Sequence, residues 1–450
     1  MSNNKEVATQ TILKAVPLPM KIKEIDITNA QRELKQATET MQNASLSKKA
    51  NELFFKGINS ILADNASVLD DEYFFLATGD IPAMWLRDST FQMLPLVKFA
   101  DHLPAVKKLI HALITTQCHL IQIDPYANSF RKDALKVHTS DVSNVPISPK
   151  VWERKYELDS LCAPIFIAYK LYEQTGDTEQ FDQNFWETVK LILAVFKQEQ
   201  HHNDSPYTFE RSNGAPTDTL TNEGKGEPVR YTGLIWSGFR PSDDACKYGY
   251  LVPANMYAVV ILQYLEDLIN HGLGDQSLLS TIVEIKDQVI QGIQESALTT
   301  VGDYQIFAYE VDGLGNYNLM DDANVPSLLS LPYLGYCSNE DELYVNTRRF
   351  ILSDQNPYYY KGKFLSGIGS PHTPESYVWP IALSMEGLTS DSVAKQKVVL
   401  ETIADNDGDT LHVHESIHVD DPKKFTRESF SWADMTYCQL FLNVFENQVK

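Results

Sequence analysis

The chain has 450 residues, 43% of them hydrophobic and 22% charged, which is enough apolar material for a large core. Its 60 acidic against 38 basic residues give a formal charge of -22. That balance disfavours nucleic acid, whose recognition leans on phosphate neutralisation, and an anionic membrane surface.

Residues 1–20 read as a flexible N-terminal segment, and 21–450 as a single domain. The opening MSNNKEVATQTILKAVPLPMKIKEI has no continuous apolar stretch and no small-residue cleavage site, so it does not read as a secretory signal. No 18-residue run escapes polar interruption, and no membrane span is expected. Cys118, Cys162, Cys246, Cys337 and Cys438 are scattered without CxxC spacing. Free thiols in a reducing, cytoplasmic compartment are the expectation.

Helical periodicity appears at 28–47 and 49–63, then over 103–121, 160–176 and 181–199, and again over 252–272 and 278–298. Gly176 is placed to cap the fourth of these. Extended segments look short and local, at 206–211 and at 303–315 with its DG turn. Strands do not alternate with helices, which excludes βαβ repeats.

Acidic and aromatic residues recur together where helical runs begin: WLRDST at 85–90, YELDSL at 156–161, WSGFRPSDD at 236–244, DDANVP at 321–326, PESYVWP at 374–380 and FSWADM at 430–435. Asp and Ser favour helix N-caps anyway, so six ordinary caps would account for the acids. They do not account for the repeated Trp or Tyr beside them. The intervals suit an inner helix, a turn and an outer helix. Six such hairpins closing into a ring, with short β-hairpins in the loops, would bring all six clusters to one mouth. The chain is 11% aromatic, much of it in connections such as 356–380. Aromatic faces against sugar C–H groups, with carboxylates and arginine on the hydroxyls, fit a carbohydrate pocket.

Glycoside hydrolysis needs one protonated carboxyl to serve the leaving oxygen and one ionised carboxylate. Asp243 and Asp244 follow RPS, and one of them can face a pocket while the other caps a helix or holds Arg240. A like-charged neighbour would raise the pKa of the inward acid. Both acids serving as caps is the competing reading. Glu415 sits in HVHESIHVDD, where His414 to His418 matches the HExxH zinc string. That motif works on a regular helix, whereas here turn-forming and β-branched residues surround it. Glu415 as a carboxylate base on a loop is the better use. Arg87 and Asp88 are either a buried ion pair or a clamp on vicinal hydroxyls, with Trp85 as a wall. His372 and Glu375 share a glycine-flanked loop, and Arg427 and Trp432 extend the final cluster.

TGDIPAMWLRDST, TGLIWSGFRPSDDACKYGYLVPANM, GIGSPHTPESYVWP and HESIHVDDPKKFTRESFSWADM together resemble glycoside hydrolase family 125, the exo-α-1,6-mannosidases, from about residue 20 onward. The resemblance implies an all-α (α/α)6 barrel like those of glucoamylase-type enzymes. It implies removal of non-reducing terminal α-1,6-linked mannose with inversion, without metal or other cofactor. It also assigns the general acid to Asp243, with Asp244 as the alternative, and the general base to Glu415. It places Arg87, Asp88, His372 and Arg427 in the mannose pocket, and Trp85, Arg240, Glu375 and Trp432 join them as expected substrate contacts from their place in the clusters and loops. An inverting pair should stand about 6.5–9.5 Å apart. The expected partners are α-1,6-linked mannosides, on a monomer or weak homo-oligomer. An exo-glycosidase of α-glucosides and a non-catalytic carbohydrate binder are the competing functions, and a zinc peptidase is a third.

Overall fold

The computed structural model describes residues 25–70, 72–133 and 140–449; the expected flexible segment at 1–20 lies outside them. The protein is mostly helical. In chain order the main helices are α1 (Ile27–Thr38), α2 (Lys48–Asp64), α3 (Leu86–Met93), α4 (Pro104–Ile123), α5 (Leu158–Thr175), α6 (Gln183–Gln200) and α7 (Val252–Asn270). There follow α8 (Leu279–Ser296), the single turn α9 (Leu331–Leu334), α10 (Glu342–Ile351), α11 (Pro380–Leu388), α12 (Val393–Asp405) and α13 (Ser431–Val449). No described helix is long and apolar enough to cross a membrane. All five cysteines are free thiols.

The helices fall into two populations by burial. All eight residues of α3 are buried, as is every residue of α5 from Leu158 to Ala168. A helix covered on all sides must lie inside. By contrast α8 buries only Ile282, Ile285, Val289, Gly292 and Ile293, a single stripe. The buried helices touch in sequence: α13 packs on α3, α3 on α5, α5 on α7, α7 on α9, and α11 on α13. Amphipathic helices lie against this inner set, α2 on α13, α4 on α5, α8 on α7 and α12 on α11 and α13.

Strands are short and local, in antiparallel sheets of two or three. Two of these sheets position the site. In one, Ala83–Trp85 pairs with Ser129–Arg131, which pairs with Val151–Glu153, so the starts of α3 and α5 stand side by side. In the other, Tyr377–Val378, Ser416–His418 and Asp421–Thr426 bring the start of α11 beside Glu415 and Arg427.

Where sequence and structure part, local chemistry accounts for it. The helix expected over 28–47 stops at Thr38, because buried Asn43 turns the chain by accepting hydrogen bonds from the Ser45 amide and hydroxyl. The expected α5 cap is present: Gly176 has φ +69°, a conformation glycine adopts without strain. The extended segment expected at 303–315 is two strands: Tyr304–Phe307 pairs with Leu298–Val301 around Gly302, and Glu310–Val311 pairs with Tyr317–Asn318 around the anticipated DG turn at Asp312 and Gly313.

Candidate active site

A cavity of about 190 Å³ opens where the buried helices begin. Five of the six acidic-aromatic clusters contribute residues to its lining: Trp85, Arg87 and Asp88; Asp243; Asn324; Trp379; Trp432. His372 lines it from the loop before the fifth cluster, and Glu415 and Arg427 from the loops around the second sheet.

Arg87 is the hub of one wall. Its guanidinium lies 2.6 Å from Glu157, 3.0 Å from Asp88, 3.5 Å from Asp159 and 3.7 Å from Asp243, and it stacks over the Trp432 ring at 5.3 Å. Burial opposes its charge, but those four carboxyls raise its pKa well above the ordinary value. The two sequence alternatives therefore coexist: Arg87 and Asp88 are a buried ion pair and also line the pocket. Burial outweighs Arg87 at Asp88 and pushes its carboxyl up to about 6.

The turn at 240–244 separates its two acids. Asp243 has φ +68°, a strained conformation for a non-glycine residue, and its carboxyl lines the cavity. Three neighbours hold it there. Trp85 Nε1 donates to Oδ1 at 3.1 Å, Asn128 Nδ2 donates to the same oxygen at 3.0 Å, and Lys155 Nζ donates to the Asp243 carbonyl at 2.8 Å. Asp244 is absent from the cavity lining; its Oδ1 meets His372 Nδ1 at 3.0 Å.

The expected reason for a raised acid pKa is corrected by this geometry. Asp244 is paired with the imidazole instead of crowding its neighbour. Burial favours the neutral form of Asp243, yet Arg87 and Lys155 prevail and hold its carboxyl below the usual range.

Arg240 and Glu375 lie elsewhere. Arg240 Nε donates to Glu310 at 2.6 Å and its guanidinium covers Tyr309, so it fastens the turn from behind. Glu375 is exposed, outside the cavity lining. Adjacency in sequence, which links both to the site motifs, says little about direction.

Glu415, which also lines the cavity, is 8% exposed, and its Oε1 lies 3.6 Å from Arg427 Nη1. Arg427 has φ +48°, donates to Asp80 and to the Thr78 carbonyl, and covers the Phe430 ring. The HExxH string has no helix beneath it. His414 precedes a strand, stacks on Phe425 at 3.6 Å, and both its ring nitrogens meet backbone carbonyls. His418 lies on the strand and accepts from the Asp420 amide. The two histidines do not share a helical face.

His372 completes the rim. Burial lowers its pKa, but the bond to Asp244 and the charges of Asp244, Glu415 and Asp243 together raise it to about 9. It is cationic at neutral pH. Because the folded value lies above the unfolded value of about 6.5, its stabilising contribution is complete below that pH and is lost as pH rises through about 9. In nitrogen-15 histidine NMR, His372 should titrate near pH 9, and Asp244→Asn should move the midpoint down. A His372 midpoint near 6.5 in the parent protein would contradict this pairing.

The structure adds Asn128, Glu157, Asp159, Asn324, Trp379 and Phe430 to the residues expected at the site. Glu157 and Asp159 stand in YELDSL, so the cluster itself was the signal.

Comparison with known proteins identifies the family. The family model for metal-independent α-mannosidases (GH125) matches residues 32–442. The meiotically up-regulated gene 157 protein of Schizosaccharomyces pombe is 37% identical over 390 residues, covering 82% of this chain and 76% of its own. A Streptococcus pneumoniae structure from a family of metal-independent α-mannosidases, in a non-productive substrate complex with α-1,6-mannobiose, superposes with a TM-score of 0.87. It is 43% identical and covers 95% of this chain and 100% of its own. A glycosidase structure at 11% identity shares the fold alone, with a TM-score of 0.52 over 94% of this chain and 99% of its own.

Proposed function

The chain belongs to the metal-independent α-mannosidases of family GH125, and on that premise we propose that it removes non-reducing terminal α-1,6-linked mannose with inversion. It is a glycoside hydrolase. The observation that carries the reading is one cavity lined by Asp243 and Glu415 together with three tryptophans and two arginines. Support for the linkage comes from the 43% identical Streptococcus pneumoniae structure with its α-1,6-mannobiose.

In this reading the terminal mannose enters the cavity with its hydroxyls on Arg87, Asp88, His372 and Arg427. Trp85, Trp379 and Trp432 supply apolar faces. Asp243 gives a proton to the glycosidic oxygen as the bond to C1 breaks. Glu415 takes a proton from the water that attacks C1 from the opposite side. Asp244, held by His372, is the weaker choice of acid.

The arrangement of the helices also favours an (α/α)6 barrel. Consecutive contacts among the inner helices run from α11 through α13, α3, α5 and α7 to α9, with amphipathic helices outside α13, α5, α7 and α11. Closure between α9 and α11 would complete six hairpins. Free cysteines throughout accord with a cytoplasmic location.

A panel of α-1,6-, α-1,3- and α-1,2-mannobioses and matched α-glucosides tests the assignment, with chelator present and absent. The α-1,6-mannobiose should be hydrolysed fastest, with no effect of chelator. Preferential glucose release would establish the α-glucosidase alternative, and no hydrolysis at all would leave a binding protein.

A further inference from the structure

The candidate acid is ionised by its surroundings in the free protein, while its task requires a proton. A second carboxyl beside it resolves this. We propose that Glu157 is the proton-holding positioning partner of Asp243, keeping in store the proton that Asp243 delivers to the leaving group. The proposal rests on the assignment of Asp243 as the acid.

The geometry couples the two residues through shared donors. Asn128 Nδ2 reaches Glu157 Oε1 at 3.1 Å and Asp243 Oδ1 at 3.0 Å, so one amide group bridges both carboxyls. Arg87 touches Glu157 through Nη1 at 2.6 Å and Asp243 through Nη2 at 3.7 Å. Ser160 Oγ donates to Glu157 Oε2 at 2.8 Å, which fixes its second oxygen. The Glu157 side chain has no solvent exposure, whereas 22% of that of Asp243 faces the cavity. Asp243 therefore meets substrate, and Glu157 acts only through it.

Charge balance points the same way. Asp88, Glu157, Asp159 and Asp243 surround Arg87, with Lys155 as a further buried cation at the turn. His372 and Arg427, which also act on Asp243 and Asp88, are already paired with Asp244 and with Asp80 and Glu415. Four ionised carboxylates around so few cations in a dry interior would be costly, and protonation is the inexpensive relief. Burial, then the charges of Asp243 and Asp159 against the opposing pull of Arg87, raise the Glu157 pKa well above the ordinary value. A hydrogen bond between the two carboxyls favours the proton on Glu157 and the charge on Asp243.

The step balances. Substrate closes the exposed side of Asp243, which loses hydration and gains proton affinity. The Glu157 O–H bond breaks as the Asp243 O–H bond forms, leaving a Glu157 carboxylate held by Arg87, Asn128 and Ser160. Asp243 then protonates the departing oxygen, and the attacking water gives hydroxide to C1 and its proton to Glu415. Solvent returns one proton from Glu415 to the pair after product release.

Glu157→Gln keeps the size and the oxygen that accepts from Arg87 and Ser160, loses the acceptor for Asn128, and has no transferable proton. Its kcat should be compared on α-1,6-mannobiose, whose leaving group needs protonation, and on 2,4-dinitrophenyl α-mannoside, whose leaving group does not, with Asp243→Asn in parallel. The expected result is a mannobiose loss on the order of 100-fold or more, with aryl mannoside turnover within about threefold of the parent. The basic limb of the mannobiose pH profile should move to lower pH. Equal losses on both substrates, or no loss on either, would overturn the proposal. If Asp243→Asn alone shows the selective loss, the acid assignment stands and only Glu157 falls. If neither variant shows it, the acid assignment falls too. The unmodified enzyme offers a check that needs no variant: its mannobiose kcat should persist well above pH 4, and a basic limb at the ordinary aspartate value of about 3.9 would also overturn the proposal.

Discussion

Glu415→Gln should lower kcat for α-1,6-mannobiose by about 10²–10⁴-fold while mannobiose still binds within a few-fold of the parent affinity. The substitution preserves shape and leaves an oxygen near Arg427, which lies 3.6 Å from the carboxylate. What disappears is the negative charge that draws a proton from water. Because that charge matters only as the water attacks, the loss should fall on kcat. Kinetics with calorimetric binding separate the two effects. Near-parental turnover would show that Glu415 is not the base, and lost binding with unchanged kcat would reassign it to substrate contact.

Asp243→Asn should produce a loss of similar size, about 10²–10⁴-fold on mannobiose, that depends on the leaving group. Asparagine can still accept from Trp85 Nε1 and Asn128 Nδ2, so the turn should keep its shape. Without a proton to give, the variant should fail on a disaccharide and succeed on an aryl mannoside with an acidic phenol. Asp244→Asn provides the contrast, since Asp244 acts on His372. A leaving-group-dependent loss in Asp244→Asn, absent from Asp243→Asn, would exchange the two roles.

Much of this was legible in the sequence, and the reasons are particular. Helices α7 and α8 were visible because they are long and periodic. Helix α11 was not, since seven of its nine residues are buried and it carries no polar face to set a period. Helices α10 and α12 went unnoticed although Asp341 and Ser392 cap them with side-chain hydrogen bonds. The acidic-aromatic clusters marked the cavity because tryptophan beside an acid has no capping purpose. Direction was the part that sequence could not supply. Asp243 and Asp244 are adjacent, and only the positive φ at Asp243 turns one into the cavity and leaves the other on His372. Arg240 belongs to Glu310, 70 positions away, a pairing no local motif reveals.

The arrangement also shows how strain and burial are concentrated at the site. Asp243 and Arg427 both hold positive φ and both line the cavity, one beside Arg87 and the other beside Glu415. Backbone conformations of this kind persist where surrounding contacts fix them. At Asp243 those contacts come from the carboxyl and carbonyl bonds to Trp85, Asn128 and Lys155. At Arg427 they come from Asp80 and the Thr78 carbonyl.

The central claim is that Asp243 and Glu415 act on opposite faces of the anomeric carbon. Proton NMR of α-1,6-mannobiose hydrolysis, followed from the first minutes before mutarotation, tests it most directly. The account predicts β-mannose as the first product, with the α-anomer appearing later at the rate of mutarotation. Initial release of α-mannose would mean retention and would contradict the roles given to both carboxyls.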